Sequence, residues 1–170
     1  MRIRHSKTPL PELFHPLYDG ILAEASVRVT KHSRLRAKIL VFRSNAAMKT
    51  FWKEFLDIDC VCRKTRAIVN PLGVVRTKYR KDGTVADEFW EADPRYFCIM
   101  GFIQKHLRME IICHEAVHAG FAYLTRQTRR QWSLDDALDE EEVAYPTGII
   151  ASLINKYLHE EGLYPKKFSA

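Results

Sequence analysis

The sequence predicts an α+β protein in which a twisted, mainly antiparallel sheet packs against two long helices. Segments with the two-residue apolar period of strands lie in the first hundred residues, and a helical period begins at about Leu107. No internal repeat, low-complexity tract or linker divides the 170 residues, which suffice for one full core. We therefore expect a single domain over residues 1–170.

The first elements follow from local composition. Residues 1–16 carry three prolines and are expected to form an irregular arm. ILAEASVRVTKHS is read as a short helix running into a strand, and RAKILVFRS as a half-buried strand. NAAMKTFWKEFL begins with Asn45, a good helix cap, and its large apolar residues recur at helical spacing, so their stripe is expected in the core.

A strand-rich segment and two helices follow. TRAIVN and GVVRTKYR are read as strands, with a hairpin turn at KDGT, and FCIMGF as a further strand. The helical period runs from Leu107 to about Arg126, and a second helical stretch beyond residue 134 is closed by Gly162.

Charge is distributed unevenly. Residues 1–81 hold 18 Lys and Arg against 6 Asp and Glu, a net +12, whereas residues 82–170 hold 9 against 15, a net −6. The basic half can contact nucleic acid or an acidic partner, but its charges match no nucleic-acid-binding motif. A solvated, charge-rich surface is the simpler interpretation.

Membrane insertion and secretion are not expected. No run of about 18 apolar residues occurs, and the N-terminal residues lack the apolar core of a secretory signal. The four cysteines show no disulfide-scaffold spacing. The expectation is a cytoplasmic protein with reduced thiols and no membrane partner.

The segment HEAVH, residues 114–118, points to a metal site. His114 and His118 are four residues apart and therefore share one helix face, so both imidazoles can bind one zinc ion. Glu115 follows the first histidine and is placed to act as the general base toward a zinc-bound water. Since the surrounding helix is strongly apolar, two buried histidines without a ligand would cost about 1–3 kcal/mol for each unsatisfied group.

A third protein ligand is expected from the second helix. Adjacent helical residues differ by about 100°, so the three glutamates of DEEEVAY cannot all face inward. The predicted core line of this helix runs through Leu138, Glu141, Tyr145, Gly148 or Ile149, and Ser152. It favours Glu141 as the ligand and leaves Glu142 as the alternative.

Four further residues have two interpretations each. Pro146 either kinks the second helix or separates two shorter ones. Tyr145 either donates to a developing oxyanion or is a packed tyrosine. Glu110 is either a partner of a ligand imidazole or an exposed charge, and His106 is more simply a loop histidine than a ligand.

These residues resemble a known family. HEAVH followed by a glutamate on a second helix resembles the gluzincin metallopeptidases, and HEAVHAG with EEVAYPTG resembles small HExxH proteins of phages and mobile elements and the ImmA/IrrE-like peptidases. The resemblance covers about residues 97–158. It implies a zincin-like domain with His114, His118 and Glu141 as zinc ligands and Glu115 as the base. It also implies a substrate held along an edge strand, for which FCIMGF is the candidate, although a buried strand would have the same sequence.

The function predicted is zinc-dependent hydrolysis of a peptide bond in a peptide or protein substrate. Two alternatives remain. One is a non-catalytic zinc protein whose basic half binds nucleic acid or a host factor, and the other is a zinc hydrolase of a non-peptide amide.

Overall fold

A computed structural model of the protein describes residues 20–56, 59, 61–80, 84–128 and 140–164. At residues 55, 74–79, 86–92, 128, 140 and 141 it describes the backbone alone. The arm predicted at residues 1–16 and most of the KDGT turn lie outside these ranges.

The element order confirms the α+β class. The strands and helices are β1 (Ile21–Val27), β2 (Arg36–Phe42), α1 (Asn45–Leu56), β3 (Ala67–Pro71), β4 (Gly73–Tyr79), β5 (Val85–Ala92), β6 (Tyr96–Ile103), a 3₁₀ turn (Gln104–His106), α2 (Met109–Thr128) and α3 (Glu140–Glu160). The short helix expected just after residue 20 is absent from the described chain, because that segment is strand β1 from its first residue.

Four strands form a mixed sheet in the order β1-β2-β6-β3. The two outer pairs are antiparallel, as expected, but the central pair β2 and β6 is parallel. The parallel pair arises because the chain leaves β2 through α1 and the β3–β5 segment before it returns beside β2. Strands β4 and β5 form a separate antiparallel pair.

The two faces of the sheet are covered by different helices. On one face, Leu40, Phe42 and Ile99 pack with Met48, Phe51 and Trp52 of α1. On the other face, the alternate strand residues pack with α2 and α3, among them Ile39, Val41, Met100, Phe102, Ile112, Ala116, Ile150 and Ile154. The aromatic stripe of α1 is thus in the core, as the sequence predicted, and the molecule has three layers.

The start of α1 differs from the sequence interpretation. Ser44 is the capping residue, since its Oγ accepts a hydrogen bond from the Ala47 N–H at 3.2 Å. The side chain of Asn45 instead donates to the carbonyl oxygens of Cys62 and Thr65, at 3.0 and 2.9 Å. Asn45 therefore ties the turn before β3 to the helix.

Helix α3 continues through Pro146 without a break. The proline ring is buried, and the core line of the helix runs through Val143, Ile150 and Ile154. The line predicted from the sequence is wrong at Tyr145 and Ser152, which are exposed; of its two alternatives, Gly148 is exposed and Ile149 packs against the core. As predicted, Gly162 closes the helix, and it has the left-handed φ of +62°. Its N–H donates to the His159 oxygen and the Leu163 N–H donates to the Leu158 oxygen, which is the hydrogen-bond pattern of a Schellman motif.

Helices α2 and α3 lie close together at Gly120. A Cβ built on Gly120 would lie 2.5 Å from Oγ1 of Thr147, whereas a Cβ on Gly148 would meet no atom within 4 Å. None of the helices in the described part of the chain combines the length and apolar character that crossing a bilayer requires.

We expect Gly120→Ala to lower the free energy of unfolding by about 1–3 kcal/mol, because the stiff Thr147 side chain cannot move away without disturbing the helix contact. The matched variant Gly148→Ala removes backbone freedom at an open helical position and should raise it by about 0.5–1 kcal/mol. Urea unfolding of both variants measures the difference. Equal effects of the two substitutions would contradict the close helix contact.

Candidate functional site

Helix α2 presents its histidines on the face opposite the sheet. Ile112, Ala116 and Ala119 have no exposed surface and pack in the core cluster that includes the sheet residues. His114 and His118 are exposed. Since residues four apart lie one turn apart on the same face, the packing of the apolar residues directs both imidazoles outward together.

The geometry of the histidine pair fits a shared metal ion. The two Nε2 atoms are 3.3 Å apart, and the ring centroids lie 5.0 Å apart with an interplanar angle of 76°. Two nitrogen ligands at about 2.0–2.1 Å from a tetrahedral ion are separated by about 3.3–3.4 Å. The spacing of the imidazoles is therefore compatible with joint coordination of one ion, and it is equally that of a hydrogen bond between the two rings.

The expectation that both histidines are buried is wrong, because both are exposed. The desolvation cost predicted for a buried pair therefore does not apply. Helix α2 lies at the surface of the molecule, so its apolar face packs on the sheet while the face that carries the histidines stays exposed. The imidazole nitrogens can form hydrogen bonds with solvent, so only the geometry of the pair supports a metal site.

Glu115 lies between the histidines in sequence and is 8% exposed. Burial raises the pKa of its carboxyl group above the ordinary value, and the charges of His114 and His118 act in the opposite direction. A carboxylate whose pKa is raised toward neutrality accepts a proton more readily. Glu115 is thus a partly desolvated acid or base beside the exposed imidazoles.

The third ligand proposed from the sequence is not tested by the side-chain positions. The side chain of Glu141 lies outside the described residues, and its backbone is in the first turn of α3. Glu142 is described and is exposed. Among the side chains that the structure does describe, no three His, Cys, Asp or Glu residues form a group that could hold a metal.

The remaining candidates are placed as follows. Tyr145 is 65% exposed, so it is not a packed core tyrosine. Glu110 is exposed in the first turn of α2. His106 is half-buried, and its pKa is lowered by burial and by the charges of Lys105, Arg66 and Arg108. Glu110 and His106 do not complete a three-residue metal group with the histidine pair.

FCIMGF is not an edge strand. It lies in β6, which pairs with β2 on one side and β3 on the other, and all eight residues of β6 are buried. The expectation that it holds a substrate is therefore wrong. Its continuous apolar sequence reflects a strand covered on both faces.

The edge strand beside α2 is β3. Helix α2 contacts β6 and β3, whereas α3 contacts β1. The Ile103 N–H donates a hydrogen bond to the Arg66 oxygen at 3.2 Å. Since hydrogen-bonded and non-hydrogen-bonded pairs alternate along an antiparallel ladder, Ile68 also bonds to β6. Ala67 and Val69 therefore direct their N–H and C=O groups away from β6. No strand in the described residues pairs with that side of β3.

TRAIVN contains strand β3, as predicted, but its place at the edge of the sheet could not be predicted, because strand order is not a local property of the sequence.

Comparison with known proteins finds no family model, no curated protein and no solved structure that matches this chain.

Proposed function

We propose that the protein is a zinc-dependent peptidase of the gluzincin type, with a zincin-like arrangement of α2 and α3 on the sheet. The 3.3 Å separation of the His114 and His118 nitrogens is the observation that carries the proposal. It equals the spacing of two ligands around a tetrahedral ion. Glu141 is the proposed third ligand, supplied by α3; because Tyr145 and Ser152 of the line that favoured it are exposed, this choice rests on the resemblance to the gluzincin motif.

Each residue has a defined role in this proposal. A bound zinc ion would acidify a water molecule and polarise the scissile carbonyl. Glu115 would take the proton from that water and pass it to the leaving amine, and its partial burial, which raises the pKa of the carboxyl group, favours its role as a base. Tyr145 is exposed and free to donate to an oxyanion that develops at the carbonyl oxygen.

The substrate is proposed to lie along β3. An extended peptide can add to a sheet edge through main-chain hydrogen bonds. The outward N–H and C=O groups of Ala67 and Val69 offer such bonds on the side of the sheet that α2 covers. This edge replaces β6 as the substrate strand.

Zinc binding is predicted to need Glu141 and not Glu142. His118→Ala and Glu141→Gln should each weaken zinc binding by at least about 100-fold, since even residues that only orient ligands contribute 10–100-fold. Glu142→Gln, a substitution of the same chemistry at the next position, should leave it unchanged. Calorimetric titration with zinc measures all three. Zinc bound equally by the Glu141 and Glu142 variants would remove Glu141 from the ligand set.

Glu115→Gln is expected to keep zinc and lose activity. The amide cannot accept a proton, so kcat/KM should fall by about 10²–10⁴-fold. The assay is cleavage of a mixed peptide library followed by mass spectrometry, with zinc content measured in parallel. If the wild-type protein binds zinc but cleaves no peptide, the zinc site is non-catalytic or acts on another amide.

Ala67→Pro tests the substrate edge. Proline removes an N–H that points away from β6, so the sheet keeps its bonds while a bound peptide loses one, and kcat/KM should fall roughly two- to tenfold. Ile68→Pro is the control, because it removes an N–H that bonds to β6 and should lower the free energy of unfolding instead. Unchanged peptide cleavage by a folded, zinc-loaded Ala67→Pro protein would contradict binding at β3.

A further inference from the structure

A shallow groove of about 680 Å³ lies between the end of β1 and the second half of α3. Its apolar lining comes from Val27 and Val29 on one side and Ile149 and Leu153 on the other. These side chains belong to the core cluster or pack against it, so the walls are fixed by the fold. The groove lies on the β1 side of the helix layer, whereas α2 and its histidines lie on the β3 side.

The rim of this groove is basic. Arg28, Lys31 and Lys156 line it together with one acidic residue, Glu160. Lys156 and Glu160 form an exposed ion pair at 3.8 Å. Arg28 and Lys31 are the two cations of the rim that do not belong to this pair. Within the described part of the chain, neither Arg28 nor Lys31 has a carboxylate within ion-pair distance.

The cations belong to a segment with a defined conformation. Residues 28–36 contain four Lys and Arg, one His and no acidic residue. Val29 is buried at 4% exposure, and Ser33 N–H bonds to the Thr30 side chain at 3.0 Å, so the turn is anchored at its start. A charged surface on a fixed turn loses little conformational entropy when a partner binds.

We propose that the groove is a docking site for an acidic segment of a partner protein, with apolar side chains that enter between β1 and α3. Unpaired cations at the rim would steer acidic residues toward it, and the apolar walls would bury the anchoring side chains. A nucleic acid fits these features less well, because single strands bind through a row of cations and exposed aromatic rings on which bases stack. The aromatic ring here is that of Tyr157, whose hydroxyl is already bonded to the Glu24 oxygen at 3.0 Å.

The test uses the full chain and a short fluorescein-labelled peptide of glutamates with interspersed leucines, followed by fluorescence anisotropy. The double substitution Arg28→Glu and Lys31→Glu should weaken binding by about tenfold or more, because attraction becomes repulsion. Lys49→Glu with Lys53→Glu is the matched control, since these cations are also exposed but belong to α1, on the opposite face of the sheet. This control should bind as the wild type does.

Each other outcome overturns the proposal. Equal loss in both double variants means that the overall charge attracts the peptide and not the groove. If an all-glutamate peptide binds equally well, the apolar walls do not contribute to binding and the proposed site is wrong. Failure of the labelled peptide to bind refutes the site directly, and tighter binding of a single-stranded oligonucleotide that depends on Arg28 and Lys31 assigns the surface to nucleic acid. The protein is kept zinc-free with a chelator during the measurement, so the proposed peptidase activity cannot cleave the peptide and the result does not depend on that activity.

Discussion

Helix α2 is fixed on the sheet by Ile112, Ala116 and Ala119, which have no solvent-exposed surface. The two alanines let the helix backbone lie close to the strands, and the absence of a side chain at Gly120 lets α3 lie close to α2. Because successive residues are rotated by about 100° around the helix axis, the buried positions of Ile112, Ala116 and Ala119 set the direction of every other α2 side chain. A rotation by one position would bury a histidine and expose core residues.

The polar groups of the proposed site include both exposed and buried side chains. The exposed histidines are hydrated and cost the fold little, whereas Glu115 and Lys38 are the buried charged residues of the described chain. Lys38 forms an ion pair with Glu24. Glu115 faces only the partial compensation of two neighbouring imidazoles, and a carboxylate held at such a place is typical of functional sites.

The mixed sheet leaves two edges with different surroundings. The β3 edge lies beside α2 and has outward main-chain groups at Ala67 and Val69, which suit an extended peptide. At the β1 edge, Tyr157 bonds to the Glu24 carbonyl and α3 covers the end of the strand, which leaves a side-chain groove with a basic rim. The proposed substrate and the proposed acidic partner would therefore bind at opposite edges of the sheet.

Local features of the sequence determined the α+β class, the core stripe of α1, the Gly162 end of α3 and the pairing of His114 with His118 on one helix face. Each depends on residues within about one or two turns, where spacing and backbone preference decide the outcome. Burial of these elements and the order of the strands depend on contacts between distant segments. Only the tertiary structure therefore showed that the histidines face solvent, that Tyr145 lies outside the core, and that β3 and not β6 is the edge beside α2.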